Sequence, residues 1–226
     1  MSANTQPDWE RLLLAAARLQ QILPGAVLVG GTASAVYAQH RFSRDADHVL
    51  FDLRERFDEV LAELESAAGW QTARVKRPVL ILGSLDGIET GVRQLVRQAP
   101  LETTRMNVKG ASMTLPTPAE IVRIKGLLIV KRNATRDYLD FSAMAAYLGD
   151  AGFVEALKPF DVLYPQANGE SATLQLQIQL ANPMPYDLGE LDLTEYRSLL
   201  PQWQSWDVVK AACAHLAMLI FDRVVA

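Results

Sequence analysis

Apolar side chains recur at helical spacing at the start of the chain, and shorter apolar runs follow them. Residues 8–22 form an amphipathic helical pattern that a Pro-Gly pair ends. An apolar run from Ala26 to Val29 then enters Gly30-Gly31, after which Thr32 can cap a helical stretch to Gln39. This order predicts a strand, a glycine turn and a helix.

Further short runs predict more strands, and one longer segment predicts a helix. Asp52 to Ala68 carries apolar residues on one face and acids on the other and ends at Gly69, which favours an exposed helix. Val79 to Leu82 is apolar at every position, so we expect this strand to be buried on both faces. The additional predicted strands cover residues 46–51, 72–75, 79–83, 88–96 and 112–115.

The pattern becomes mainly helical after Pro116. Thr117 to Glu120 combines a threonine N-cap, a proline at the first helical position and a glutamate that completes a capping box, which predicts a helix to about Arg132. Asn133 or Thr135 can cap the next helix, which runs from residue 136 to 148 and ends at a glycine. The change near Pro116 predicts two domains, residues 1–116 and residues 117–226.

Two later segments complete the pattern. Ala172 to Leu180 alternates leucine or isoleucine with glutamine, which predicts a half-exposed strand or an edge strand. Asp207 to Val225 predicts a final amphipathic helix, in which we expect Cys213 and His215 to fill core or surface positions.

The composition is that of a globular protein, with 226 residues of which 50% are hydrophobic and 21% charged. No apolar run approaches the roughly 20 residues of a bilayer span, and the polar segment Met1 to Glu10 is unlike a signal peptide. We therefore expect a cytoplasmic protein with no membrane partner. A single cysteine and three scattered histidines give no disulfide or zinc-ligand spacing, so carboxylates must hold any metal.

The net charge of −4 conceals an uneven distribution. From Arg93 to Arg136 there are nine basic residues against two acidic ones, Glu102 and Glu120. A solvated surface with ion pairs explains such a run as well as a phosphate-binding surface does. The neighbouring motifs must decide between the two.

The strongest candidate chemistry combines the glycine turn with Asp45-Ala46-Asp47. A glycine pair between a strand and a helix frees backbone N–H groups to face a phosphate, although any tight turn can use one. Residues i and i+2 of a strand share a face, so Asp45 and Asp47 would lie close together and repel each other unless a cation such as Mg²⁺ binds between them. The alternative is an exposed loop, or a pair with Arg41 or Arg44.

Three segments of the chain resemble a known family. They are LVGGTASAVYAQHRFSRDADHVL at Leu28–Leu50, GIETGVRQL at Gly87–Leu95 and IVRIKGLLIVKRNATRDYLDFSAM at Ile121–Met144. In order and spacing they resemble the AbiEii/AbiGii branch of the polymerase-β-like nucleotidyltransferases, the toxin halves of toxin–antitoxin and phage-defence pairs. The resemblance implies an α+β protein with a mixed-sheet nucleotidyltransferase core and a mainly helical C-terminal domain that closes the cleft.

The resemblance also implies roles for individual residues. Asp45 and Asp47 match the metal ligands, for Mg²⁺ or Mn²⁺. Lys125 matches a helical lysine expected to reach the nucleotide phosphates, and Asp137 or Asp140 could act as a general base or orient the substrate. The nucleotide-binding residues would be Gly30, Gly31, Thr32, Arg41, Ser43, Lys125 and Arg136. The candidate nucleic-acid contacts within the basic segment are Arg93, Arg97, Arg105, Lys109, Lys131 and Arg132.

Alternatives remain for the second half of this site. Asp137 and Asp140 could instead form a structural ion-pair network with Arg132 and Arg136, and Lys125 could be a surface lysine with a buried stem. Many superfamily members carry a third catalytic carboxylate on a later strand. Here the one acid on the plausible strand is Glu89, and its role depends on which face it occupies.

The resulting hypothesis is a metal-dependent transfer of a nucleoside monophosphate from an NTP to an acceptor hydroxyl. The family implies RNA as acceptor, at the 3′ end of tRNA, and a cognate antitoxin as partner. The rivals are nucleotidylation of a small molecule or protein, and a catalytically silent module of the same fold that binds another protein.

Overall fold

The computed structural model describes residues 5–190 and 192–225, so part of the predicted polar N-terminal segment, residues 1–4, lies outside the described residues. The chain forms two compact units. The first comprises the chain up to Ala33 together with Ser43–Pro116, and the second comprises Ser34–Phe42 together with the chain from Thr117 onward. Residues 34–42, which the sequence analysis assigned to the first domain, therefore pack with the helical second unit.

The first 116 residues contain three helices and seven strands in the described part. In chain order these are α1 (Thr5–Ile22), β1 (Val27–Leu28), α2 (Gly30–Ala38), β2 (Ala46–Leu50), α3 (Phe57–Ser66), β3 (Trp70–Lys76), β4 (Leu80–Leu85), β5 (Ile88–Gln94), β6 (Thr103–Val108) and β7 (Ala111–Pro116).

The remainder is helical over its described residues. It contains α4 (Pro118–Arg132), α5 (Thr135–Leu157), α6 (Phe160–Leu163), α7 (Ala172–Ala181) and α8 (Trp206–Ile220), a π-helical turn at Phe221–Val225 and three 3₁₀ turns at Leu188–Glu190, Leu193–Glu195 and Pro201–Trp203. Among the helices described, none is long and apolar enough to cross a membrane.

Five strands form one mixed sheet in the order β1-β2-β5-β4-β3. β2 and β5 run parallel, and the other neighbours are antiparallel. One face of this sheet is buried against α1 and α3, through a core that includes Leu19, Leu64, Ile81 and Val92. The alternate residues of β2 and β4 are only partly buried, so the sheet has one core face and one open face.

The hairpin of β6 and β7 forms a separate two-stranded sheet. β7 was predicted, but β6 was missed, because its sequence TTRMNV is largely exposed and lacks an apolar alternation. The prediction that β4 is buried on both faces is wrong. Ile81, Gly83 and Leu85 are buried, whereas Leu80 and Leu82 are half-buried on the open face.

The predicted strand at Ala172–Leu180 is a helix, α7. Its N-cap is Ser171, whose side chain accepts a hydrogen bond from the backbone N–H of Leu174 at 3.0 Å. The buried positions include Ala172, Leu176 and Leu180, four residues apart, and they pack α7 against α4 and α8. A leucine-glutamine alternation contains a four-residue apolar period as well as a two-residue one, and tertiary packing selected the helix.

The starts of two helices differ from the prediction. α2 already begins at Gly30, so Thr32 lies inside the helix instead of capping it. α3 begins only at Phe57, with Arg56 as N-cap, whereas the prediction began at Asp52. The predicted helix end at Gly149 is confirmed by the backbone: Gly149, at φ 67° and ψ 166°, interrupts α5 with a kink, and a second helical stretch follows to Leu157.

The α4–α5 junction contains left-handed backbone. Thr117 caps α4 as predicted, since its side chain accepts from the backbone N–H of Glu120 at 3.3 Å. Asn133 adopts φ 50° and ends α4, and Ala134 is the N-cap of α5, so neither Asn133 nor Thr135 caps α5 as predicted. Lys125 and Arg136 consequently lie on separate helices.

His48 lies on the core face of β2 and is fully buried. Burial lowers the pKa of this imidazole to about 4, against weaker opposing contributions from the backbone of Ala46 and Ala16. The folded state therefore holds His48 neutral at pH values where the unfolded chain, with a pKa near 6.5, takes up a proton.

We expect the folded state to lose roughly 2 kcal/mol of stability between pH 7.5 and pH 5 through His48 alone. The sign follows from the lowered pKa, because the stabilisation is complete above the unfolded pKa and declines as the pH falls toward 4. Urea unfolding at both pH values measures it. His48→Gln should remove this part of the pH dependence and the exposed His215→Gln should not, so equal slopes for wild type and His48→Gln would refute the assignment.

Candidate active site

The glycine turn and the first carboxylates come together around β2 on the first unit. Gly30 has φ +75°, and the backbone N–H of Val29, just before it, donates to the carbonyl of Asp47 at 2.8 Å. A Cβ atom placed on Gly30 would lie 3.8 Å from Cβ of Asp47 and 4.0 Å from its Oδ2. No side chain therefore separates the N-terminus of α2 from the Asp47 carboxylate.

Asp45 is fixed by two hydroxyl groups. Ser43 Oγ donates to Asp45 Oδ1 at 2.7 Å, and Thr32 Oγ1 donates to the Asp45 backbone carbonyl. Thr32 and Ser43 are both buried. In this arrangement they orient the metal-ligand candidate, a role the sequence analysis did not assign to them.

The register of the sheet places Glu89 and Arg93 on the face of the two aspartates. Asp47 stands opposite Gly91 in the parallel β2–β5 pair, so Glu89 and Arg93, two residues either side of Gly91, share its face. Ala46 pairs with Thr90, which sets Asp45 level with Glu89. Glu89 therefore lies on the same face as Asp45 and Asp47. Arg93 Nη2 lies 3.6 Å from Asp47 Oδ1.

The donor set of this face fits a hard divalent cation. Within the described residues there is no group of three or more His, Cys, Asp or Glu side chains that could hold a metal. Mg²⁺ needs only one or two protein carboxylates when substrate phosphates complete its shell. Asp45 and Asp47 meet that requirement, and the Arg93 guanidinium beside Asp47 marks the spot as one that attracts positive charge.

The second unit contains a cluster of charged residues that is buried except at Arg132, whose side chain is 38% exposed. It is formed by His40, Arg41, Lys125, Arg132, Asp137 and Asp140. Two bidentate arginine–aspartate pairs make up its frame. Arg41 Nε and Nη2 donate to Asp140 at 2.7 and 2.9 Å, and Arg132 Nε and Nη2 donate to Asp137, the latter at 2.7 Å.

Lys125 bridges the two pairs. Its Nζ lies 2.6 Å from Asp140 Oδ2 and 3.5 Å from Asp137 Oδ1, and its side chain is only 2% exposed. The interpretation of Lys125 as a surface lysine with a solvated head is therefore wrong. The cluster is an ion-pair network, and its members differ from those expected, because Arg41 takes part through its pair with Asp140.

Asp140 receives a fourth donor from His40. Because an ionised carboxylate can only accept, His40 Nε2 carries the proton that it donates to Asp140 Oδ1 at 2.7 Å. Burial alone would raise the pKa of Asp140, but Arg41, Lys125 and His40 outweigh it and hold that pKa well below its usual range. His40 was missed as a site residue, since a single histidine 100 residues from its partner gives no signal in the sequence.

The remaining predicted contacts are dispersed. Arg97 is 8% exposed and donates to the carbonyls of Ala99 and Pro100 at 2.9 and 2.7 Å. Lys109 pairs with Glu10, and Lys131 donates to Gln166 at 2.6 Å. Arg105 is exposed on β6. The run of positive charge in the sequence is thus divided between the two units.

Comparison with known proteins gives two kinds of similarity. No family model matches the chain. Over 131 residues, 56% of the chain, it is 32% identical to part of the heme uptake protein MmpL11 of Mycobacterium tuberculosis and 28% identical to part of the mycolic acid-containing lipids exporter MmpL11 of Mycolicibacterium smegmatis. The chain spans 13% of the length of these curated relatives.

Solved structures match over much more of the chain. A candidate nucleotidyltransferase from H. pylori has a TM-score of 0.58 at 16% identity and covers 99% of this chain and 97% of its own. JHP933 from Helicobacter pylori has a TM-score of 0.55 at 16% identity, covering 99% and 95%. ANT(2″)-Ia, in complex with adenylyl-2″-tobramycin, has a TM-score of 0.50 at 13% identity, covering 69% and 98%. The predicted α+β fold class is confirmed: the chain has the nucleotidyltransferase fold.

Proposed function

We propose that the chain is a metal-dependent nucleotidyltransferase that moves a nucleoside monophosphate from an NTP to an acceptor hydroxyl and releases pyrophosphate. The observation that carries the proposal is the juxtaposition of Asp47 with the Gly30 turn at the start of α2, beside Asp45. Positioning an NTP requires a phosphate-binding helix terminus and neighbouring carboxylates, and here Asp47 lies in β2 and Asp45 directly before it.

In this proposal Asp45 and Asp47 hold the cation, and the backbone N–H groups of the Gly30-Gly31 turn bind the phosphates. When bound, Mg²⁺ or Mn²⁺ neutralises charge on the phosphate oxygens. Ser43 and Thr32 keep Asp45 in place, as their hydrogen bonds indicate. Lys125 and Arg136 belong to the second unit, and the proposal that their positive charge serves the nucleotide rests on the resemblance alone.

Glu89 is the best candidate for the group that takes the proton of the acceptor hydroxyl. It is exposed and stands level with Asp45 on the same face. Asp140 is a poor base, because its pKa is held low and its two oxygens already accept from three side chains. Asp137 is also fully buried, and it accepts hydrogen bonds from Nε and Nη2 of Arg132. We therefore place Asp137 and Asp140 in support of Lys125 instead of at the reacting atoms.

For the acceptor we propose RNA, at the 3′ end of tRNA, with the chain acting as a toxin that a cognate antitoxin protein restrains. The resemblance of Leu28–Leu50 and Ile121–Met144 to AbiEii-type toxins supports this acceptor. A small-molecule acceptor is the enzymatic alternative, favoured by the structural similarity to ANT(2″)-Ia with its adenylylated tobramycin.

A second candidate belongs to another class. Over 56% of the chain the sequence is 32% identical to part of MmpL11, which is named as a heme uptake protein and not as a transferase, and this favours a catalytically silent module that binds another protein. The intact Asp45 and Asp47 pair is the observation against it, since a silent module does not need two carboxylates on one face.

Incubation of the chain with each labelled NTP, Mg²⁺ and total tRNA, followed by gel analysis and a pyrophosphate assay, tests these proposals. We expect label to move onto RNA with one preferred NTP, and chelation of the metal to stop it. Pyrophosphate release without labelled RNA would favour a small-molecule or protein acceptor. No pyrophosphate with any NTP would favour the silent module.

A further inference from the structure

The open face of the five-stranded sheet carries a row of three exposed cations, of which one, Arg93, was predicted from the sequence as a nucleic-acid contact. Arg93 on β5 pairs with Leu80 on β4, and Leu80 pairs with Lys76 on β3, so all three share one face. In the next row Asp47 stands opposite Gly91, Gly91 opposite Leu82 and Leu82 opposite Arg74. Arg74, Lys76 and Arg93 thus lie on the same face as Asp47.

These three residues form what we call the basic sheet face. All are exposed, and β3 is the edge strand of its sheet, exposed along every position after Trp70. Neighbouring strands are roughly 5 Å apart, so Arg93 and Lys76 lie about 10 Å apart, with Arg74 one pleat of about 7 Å beyond Lys76. The register of β3 shifts between Thr72 and Arg74, and this shift turns Arg74 to the open face, opposite Leu82.

The floor between the cations is apolar. Leu80 and Leu82 are half-buried on this face, and Leu82 lies over Gly91, since a Cβ at Gly91 would come within 2.5 Å of Leu82 Cδ2. A surface of this kind can bind a single-stranded nucleic acid, because its cationic side chains can contact the phosphates and its apolar residues can contact the bases.

Resting on the proposed function, we infer that the basic sheet face is the track along which a single-stranded RNA acceptor reaches Asp47. Charge complementarity and continuity with the carboxylate pair select this occupant. An acceptor hydroxyl must arrive beside Asp45 and Asp47, and Arg93, 3.6 Å from Asp47, joins the row of cations directly to that point. The predicted contacts Arg97, Lys109 and Arg132 instead have partners within the protein.

The test uses a 5′-labelled single-stranded RNA 12-mer with a free 3′ hydroxyl and measures its binding anisotropy across a salt series. The variant is Arg74→Gln/Lys76→Gln, and the matched control is Arg11→Gln/Arg54→Gln, which removes the same charge from exposed positions of the same unit. Because the variant neutralises two fewer phosphates, the log–log salt slope should fall in magnitude by about 1.4, which weakens binding roughly 10- to 30-fold at 0.1 M salt. The control should match wild type.

Three outcomes would overturn the track: equal binding by the variant and wild type, an equal loss in the control, or no RNA binding by wild type. NTP binding by the same variants, measured with Mg²⁺ and no RNA, keeps this failure separate from failure of the proposed function. If wild type binds NTP and the track variant binds RNA normally, the track is wrong and the nucleotidyltransferase proposal stands. If wild type binds no NTP, the proposed function itself fails.

Discussion

Replacing Asp47 or Asp45 by asparagine is expected to reduce nucleotidyl transfer at least about 100-fold. Mutation of a group that only supports a metal ligand typically costs about 10- to 100-fold, and loss of a ligand itself should cost at least as much. Asparagine keeps the shape of the side chain but removes the negative charge that a divalent cation requires. The measurement is transfer of labelled NMP at saturating Mg²⁺, alongside the melting temperature.

The fold should survive either substitution. Asp47 is 26% exposed and its contact with Arg93, itself 46% exposed, is a surface pair that contributes about 0 to 1 kcal/mol. Removing one of two neighbouring like charges also relieves repulsion in the metal-free protein. Asp58→Asn, at an exposed carboxylate of α3, is the matched control and should leave transfer unchanged. Full transfer by Asp45→Asn or Asp47→Asn would remove the metal-ligand assignment.

A second readout tests the same assignment without turnover. Binding of Mn²⁺ to the wild-type chain can be followed by electron paramagnetic resonance, and each asparagine variant should weaken it. Unchanged Mn²⁺ binding with lost transfer would mean that the aspartates serve the reaction in another way.

Within the candidate active site, the sequence predicts the contacts between residues that are close together in the chain. Gly30 and Asp47 belong to consecutive elements, and the two-residue period of a strand already places Asp45 and Asp47 on one face. The position of Glu89 could not be settled in that way. It depends on the pairing of β2 with β5, two strands separated by 37 residues of chain, and a one-residue slip would have turned Glu89 to the core.

The charged cluster of the second unit shows even more clearly that contacts between distant parts of the chain cannot be predicted from the sequence. Arg132 and Asp137 are five residues apart and were predicted to interact, whereas His40 and Arg41 reach Asp140 across about 100 residues. No local sequence pattern identifies such a contact, because the hydrogen-bond partners of a buried polar group are set by the tertiary fold and can lie far away in the sequence. For α7, in turn, the local pattern fits two periods, and packing decides between them.

Lys125 and Asp140 are expected to respond very differently to substitution, although they contact each other at 2.6 Å. Asp140→Asn leaves Arg41 and Lys125 facing each other in a buried site without their shared carboxylate. Loss of one partner of a buried charge pair typically costs about 3 to 5 kcal/mol, so we expect this variant to be strongly destabilised.

Lys125→Met should be tolerated much better. Each aspartate keeps its own bidentate arginine, Arg41 for Asp140 and Arg132 for Asp137, and methionine fills most of the space of the lysine stem. We expect a loss of about 1 to 2 kcal/mol. Lys125→Ala, by contrast, should lower the melting temperature clearly, because alanine would leave a cavity at a side chain that is 2% exposed.

The Lys125→Met variant therefore separates stability from nucleotide use. If the lysine charge serves the NTP phosphates, the folded variant should bind NTP at least about 10-fold more weakly, as expected for the loss of one charge-assisted contact worth about 1.5 kcal/mol or more. Urea unfolding and NTP titration on the same sample measure both effects, with Lys158→Met, at an exposed lysine, as control. If a folded Lys125→Met protein binds NTP as tightly as wild type, Lys125 only joins the two arginine–aspartate pairs. If an Asp140→Asn protein is as stable as wild type, the cluster does not depend on its central carboxylate.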